Sequence, residues 1–200
     1  MGGRGVDWLR AGLARAHAPS SDFDLNPDTV LPAGRALRPA AVLLGITDED
    51  APKVLLTKRS SALRHHPGQI AFPGGKQDDA DNDLTATALR EAQEEVALPP
   101  SAAQVIGPLP PHETVTGFIV TPIVALIDPA APLRTDPSEV DEAFFTPLSH
   151  VLKAQNYSIQ SRRWRGRQRR YYTVPWGPYY IWGATARMLR VLADLCEGPR

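Results

Sequence analysis

LREAQEEVAL, residues 89–98, crowds Glu91, Glu94 and Glu95 onto little more than one turn of an otherwise apolar helix. Like charges spaced i,i+4 cost a helix roughly 0.2–0.5 kcal/mol per pair, so the cluster needs a reason. At 3.6 residues per turn the three carboxylates fall within an arc of roughly 100°. Thr85, Leu89, Ala92 and Val96 gather on a neighbouring face suited to docking on a sheet. Convergent anionic oxygens suit magnesium or manganese better than zinc or copper, and such an ion turns repulsion into coordination. Spacing alone also fits a solvated acidic face, and the residues upstream decide between the two.

QIAF (69–72) reads as a short strand stopped at Pro73-Gly74-Gly75, where a helix cannot continue and the backbone can bend sharply. Acidic DDADND follows, with Asp81 and Asp83 as N-cap candidates for a helix over 84–98 that Pro99-Pro100 ends. AAVLLGI (40–46) and KVLLTKR (53–59) predict two strands joined by a turn. Further strands are expected at 104–109, 116–127 and from 142, with a short helix near 148–154. RRWRGRQRR (162–170) runs into YYTVPW as a hairpin, and residues 181–195 form a closing amphipathic helix with Met188, Leu192 and Leu195 on its buried stripe. Strands and helices mix without regular βαβ alternation, which predicts an α/β (α+β) fold with a mixed sheet between helices.

Residues 75–98 resemble the Nudix box: glycine, five residues, glutamate, seven residues, Arg-Glu-apolar, one residue, Glu-Glu, one residue, glycine-apolar. Gly75, Arg90, Glu91, Glu94, Glu95 and Leu98 match it in type. Fourteen residues separate Gly75 from Arg90, one more than the pattern has, and Asp81 stands where its loop glutamate belongs. Ala97 replaces the late glycine, which weakens a left-handed helix cap by about 1 kcal/mol. The resemblance implies an α/β/α sandwich with a catalytic loop-helix-loop. It also implies hydrolysis of a nucleoside diphosphate linked to another group, with Mg2+ or Mn2+ held by the glutamates of the box.

Immediately upstream, LLTKRSSALRHHPGQIAFPGG (55–75) is similar to the signature of the coenzyme A diphosphatase subgroup of that family. Leu55, Leu56, Thr57, Arg59, Ser60, Arg64, Gly68, Phe72, Pro73, Gly74 and Gly75 fall in place. This likeness implies cleavage of coenzyme A or a derivative to 3′,5′-ADP and 4′-phosphopantetheine, or its acylated form. It makes Glu91 and Glu95 the expected metal ligands and Glu94 a further ligand or the base that orients water. Arg90 is expected to hold the loop acid or a neighbouring glutamate. Arg59, Ser60, Arg64, Gly74 and Gly75 are expected at the substrate, the arginines as fixed-charge forks for phosphate oxygens. Asp81, Glu113 and Glu139 are lesser candidates, the last two as an added base from a distant loop. His65 and His66 are loop histidines with no identified partner.

The composition is compatible with these expectations. Lysine plus arginine and aspartate plus glutamate number 22 each, so no global charge pulls the chain toward nucleic acid or membrane. The balance hides an acidic stretch before Glu95 and six arginines between Arg162 and Arg170. Those arginines suit either the 3′-phosphate of coenzyme A or, interleaved with Trp164, RNA. With 42% apolar and 22% charged residues the chain reads as globular rather than disordered. A single cysteine, Cys196, excludes an internal disulfide and a cysteine zinc cage. No continuous apolar segment of a secretory signal or membrane span is visible, and cytoplasm is expected. Residues 1–39 read as a short helix (Val6, Leu9, Leu13) and an extended lead-in, and 40–200 as the hydrolase domain. The partner expected is a small-molecule substrate, with oligomeric state open. Alternatives are a Nudix hydrolase of ADP-ribose, dinucleotides or nucleoside triphosphates, and a non-catalytic nucleotide- or RNA-binding module.

Overall fold

Two strands buried on both faces organise the chain. The computed structural model describes residues 7–14, 18–31, 34–164 and 166–197. Val6 of the expected first helix and Arg165 of the arginine run lie outside them. In chain order the elements begin with α1 (Asp7–Leu13), β1 (Ser20–Ser21), β2 (Arg38–Thr47), β3 (Lys53–Arg59), β4 (Ile70–Ala71), β5 (Gly74–Lys76) and α2 (Leu84–Val96). They continue with β6 (Ala103–Pro108), β7 (His112–Glu113), β8 (Phe118–Ile127), β9 (Val140–Pro147) and α3 (Leu148–Val151). The hairpin β10 (Ser158–Trp164) and β11 (Arg167–Thr173) precedes the closing helix α4 (Gly183–Glu197).

β2 and β8 pair in parallel over their full length; β3 and β5 pair antiparallel with β2, β6 and β7 with β8, and β9 extends the sheet antiparallel to β3. The result is the expected mixed α/β sheet with helices on both faces. Alternation along the strands splits the core in two. Leu44, Ile46, Val54, Leu56, Val120 and Val124 pack with Leu9 of α1 and with Leu189 and Leu192 of α4. Ala41, Leu43, Leu55, Ile123 and Ala125 pack with Ala88, Ala92 and Val96 of α2. Being covered on both sides explains why VLLGI and VLLT read as continuous apolar runs.

α2 ends as its residues dictate. Asp83 is the N-cap, its carboxylate accepting from the Ala86 N–H at 2.7 Å. Ala97 takes the left-handed conformation (φ 54°), and the Leu98 N–H donates back to Ala92. The helix therefore stops at Val96, two residues short of the expected end, with alanine adopting the turn that glycine would make at lower cost.

The lead-in differs from the plain loop expected of it. β1 pairs in parallel with β7, and Ser20 Oγ and Asp22 Oδ1 lie 2.9 and 3.2 Å from the two ring nitrogens of the buried His112. Asn26 reaches further, pairing both ways with the Arg170 backbone: its Nδ2 donates to the carbonyl (3.0 Å) and its Oδ1 accepts from the N–H (2.9 Å). The hairpin is thus fixed against the body by residues from the start of the chain.

Candidate active site

The three glutamates of α2 part company once the helix docks. Glu95 turns with Ala88, Ala92 and Val96 into the interface and is 3% exposed. Glu91 is half-buried beside it, while the Glu94 side chain stays 59% exposed. Helical spacing places all three on one arc, but the rotation of the helix on the sheet decides which are wet.

Arg90 sits among the acids. Its Nε and Nη2 donate to the two carboxylate oxygens of Asp81 at 2.9 and 3.0 Å, a bidentate fork. Its Nη1 donates to Glu91 Oε1 and Glu94 Oε2, each at 3.0 Å. These bonds, with the Asp78 N–H, hold Asp81 well below the usual carboxylate range and push the guanidinium higher still. The shorter acid in the longer loop is therefore tied to the helix by the arginine of the box.

Burial pushes the Glu95 carboxyl up to about 8, with Glu91 and Glu139 adding to the shift and Arg59 and the Gly74 N–H opposing it. Burial also raises Glu91, against the hydrogen bond from Arg90 and with help from Glu94 and Glu139. Among the described residues no ion pair reaches Glu95. A buried carboxyl raised further by a half-buried acid beside it is chemically suited to a hard divalent cation. Among the described residues no three acidic, histidine or cysteine side chains are already arranged as a cage, and Arg90 engages Glu91 and Glu94.

The glycine pair before the helix is explained by close approach. A Cβ on Gly75 would lie 2.4 Å from Glu91 Oε1, and one on Gly74 2.5 Å from the Ala41 carbonyl and 2.6 Å from Val42 Cα. The expected bend at Pro73-Gly74-Gly75 is thus also a strand, β5, wedged between β2 and α2.

On the α4 side of that strand lies a cavity of about 600 Å³. Arg59, His65, His66, Phe72, Gly74 and Gly75 line it from the 55–75 segment. Glu91 and Glu95 do not line it; β5 is the shared wall, with the cavity on one side and the acids against the other. Ser60 is buried, bonded to the Pro137 carbonyl, and Arg64 is exposed away from the cavity. Glu113 pairs with Arg35, whereas the exposed Glu139 is close enough to act on Glu91 and Glu95. Sequence reading missed Asp22 and Asn26, Thr114 to Thr116, and Trp182 just before α4, all of which line the cavity. No local pattern marks them, because long-range pairing brings them there. The hairpin contributes Arg162, Arg169 and Arg170, while the Trp164 side chain lies outside the described residues.

Comparison with known proteins gives the family and the fold. The family model described as NUDIX domain matches residues 36–165. Uncharacterized Nudix hydrolases named NudL from Cronobacter sakazakii and from Escherichia coli O6:H1 are each 47% identical over 156 residues, 78% of this chain and 81% of the relative. A MutT/nudix family protein from Enterococcus faecalis, 15% identical, superposes with a TM-score of 0.51 over 84% of this chain and 64% of its own, a likeness of fold.

Proposed function

The chain belongs to the Nudix family, and on that premise we propose that it hydrolyses the diphosphate bond of coenzyme A or its derivatives. The products would be 3′,5′-ADP and 4′-phosphopantetheine, or the acylated form of the latter. One observation carries the reading. The single segment 55–75 borders the cavity at Arg59, His65, His66 and Phe72 and ends at the glycine against which Glu91 packs. It joins a space large enough for a nucleotide to the acids of the box.

Glu91 and Glu95 would hold Mg2+ or Mn2+, with Glu94 as a further ligand or the base that orients water. Their oxygen-only, mutually repelling donors fit such an ion. When bound, that ion supplies charge neutralisation of the diphosphate and a more acidic water. The chain's own residues do the rest. Arg90 ties Asp81, Glu91 and Glu94 into one network beside Glu95, which keeps the loop acid and the helix acids within reach of one ion. Arg59, at the cavity wall and within electrostatic reach of Glu95, is placed to meet phosphate oxygens. Glu139, which acts on both Glu91 and Glu95 whereas Glu113 pairs with Arg35, is the better candidate for an added base. One water is consumed, one bridging P–O bond breaks, and each fragment leaves with one phosphate of the former diphosphate, the adenosine fragment keeping its 3′-phosphate as well.

The test is a panel of coenzyme A, ADP-ribose, NADH and nucleoside triphosphates with magnesium or manganese, read by chromatography of the products. Conversion of coenzyme A to 3′,5′-ADP is expected. Cleavage of ADP-ribose with coenzyme A left whole would overturn the substrate assignment, and no cleavage at all would favour a binding module.

A further inference from the structure

The hairpin carries a conflict that the hydrolytic centre does not resolve. Its register sets Arg162 directly opposite Arg169, and like charges directly opposite across a strand pair are destabilising. Residues facing one another across a hairpin share a face, and both arginines line the cavity. Among the described residues no ion pair is made by Arg162. Its guanidinium instead lies 4.5 Å over the Trp182 ring, which Tyr171 meets edge-on at 5.1 Å. A guanidinium held over an aromatic ring still has N–H donors to offer an acceptor.

The opposite wall is also positive. His66, held at φ 55° in the left-handed region, is lowered by burial and then by Arg59, His65 and Arg162. Arg59 from the 55–75 segment and Arg162 from the hairpin therefore act on the same imidazole from two elements. The cavity lining holds five basic residues (Arg59, Lys76, Arg162, Arg169 and Arg170) against one acid, Asp22. Asp22 is already engaged by the Val115 N–H at 2.8 Å and by His112. Lys76 is answered by Asp78 at 3.2 Å, so the excess positive charge of the lining rests on its arginines.

We propose that Arg162 and Arg169 form a second anion subsite, which takes a phosphate monoester carried by the substrate away from the bond that is cleaved. It deepens the reading given above, on which that group is the 3′-phosphate of coenzyme A. The hairpin is an arm pinned by Asn26, and its arginines select substrates bearing the extra phosphate.

The experiment is calorimetric titration of the full chain in magnesium buffer with 3′,5′-ADP and with 5′-AMP, beside turnover of coenzyme A and 3′-dephospho-coenzyme A. The wild-type protein is expected to bind 3′,5′-ADP about tenfold tighter than AMP, the worth of one or two charge-assisted hydrogen bonds. In R162A/R169A that ratio is expected to fall to about one, with the KM for coenzyme A rising by a similar factor. Equal wild-type binding of the two nucleotides, or a preference that survives in the variant, would overturn the subsite. The wild-type comparison needs no variant to fold. A preference lost in the variant by a chain that leaves coenzyme A intact would keep the subsite and remove the proposed substrate. Cleavage of both coenzymes with equal kcat/KM would do the reverse.

Discussion

Glu91 occupies the space that a side chain at Gly75 would fill, its Oε1 lying 2.4 Å from where that Cβ would be. The two halves of the box, glycine turn and acidic helix, are therefore one packed unit. Gly75→Ala is expected to displace the Glu91 carboxylate and lower turnover about tenfold or more, while stability falls by only about 1–3 kcal/mol. Gly74→Ala meets backbone rather than a movable side chain and is expected to cost more stability. Steady-state rates and thermal melts of both variants check the contrast; equal loss of stability would contradict it.

Arg90 forks onto Asp81 and reaches Glu91 and Glu94 with its remaining nitrogen. Arg90→Lys keeps the charge but not the bidentate geometry. Its turnover is expected to fall about tenfold, recovering in part at raised metal concentration as the loosened glutamates are gathered by the ion. A lysine variant with wild-type metal dependence would show that the fork does not organise the acids.

Glu95 gives the metal-free protein a pH signature. Its carboxyl stands at about 8 in the fold against an ordinary 4.5, so the native state binds the extra proton between those values. Stability from this group is present below pH 4.5 and is lost as pH rises through 8, with a slope of up to about 1.4 kcal/mol per pH unit. Glu95→Gln removes that loss. In chelator at pH 9 the variant is expected to melt above the wild-type protein, and at pH 4 the two should coincide. A variant that melts lower at pH 9 would contradict the buried, unpaired carboxylate.

Asn26 holds β11 by two backbone bonds, each worth about 0.5–1.5 kcal/mol. Asn26→Ala is expected to free the hairpin from the lead-in and raise KM for coenzyme A about threefold to tenfold with kcat little changed. An unchanged KM would mean that the lead-in does not shape the cavity.

What was legible in the sequence follows from range. The 3.6-residue pattern of α2 and the apolar runs of β2 and β3 are local, and they were read from local residues. The sequence narrows the N-cap to Asp81 or Asp83; Asp83 takes it, while the Asp81 carboxylate is held by Arg90. β1, β5 and β7 were not legible, because two or three residues carry no period and become strands only against distant partners. The burial of Glu95 beside an exposed Glu94 could not be read from spacing, since docking on the sheet sets the rotation of α2. Asp22 and Asn26 reach the cavity through pairings with residues some 90 and 144 positions away, which no local pattern announces.

The account rests on Glu91 and the buried Glu95 of α2 as the hydrolytic centre. Glu95→Gln, confirmed folded by circular dichroism, tests it through coenzyme A turnover in saturating magnesium. The predicted result is a loss of about two orders of magnitude or more, about 2.7 kcal/mol of transition-state stabilisation, in a protein no less stable than the wild type. Near-normal turnover in that variant would contradict the claim and remove Glu95 from the site.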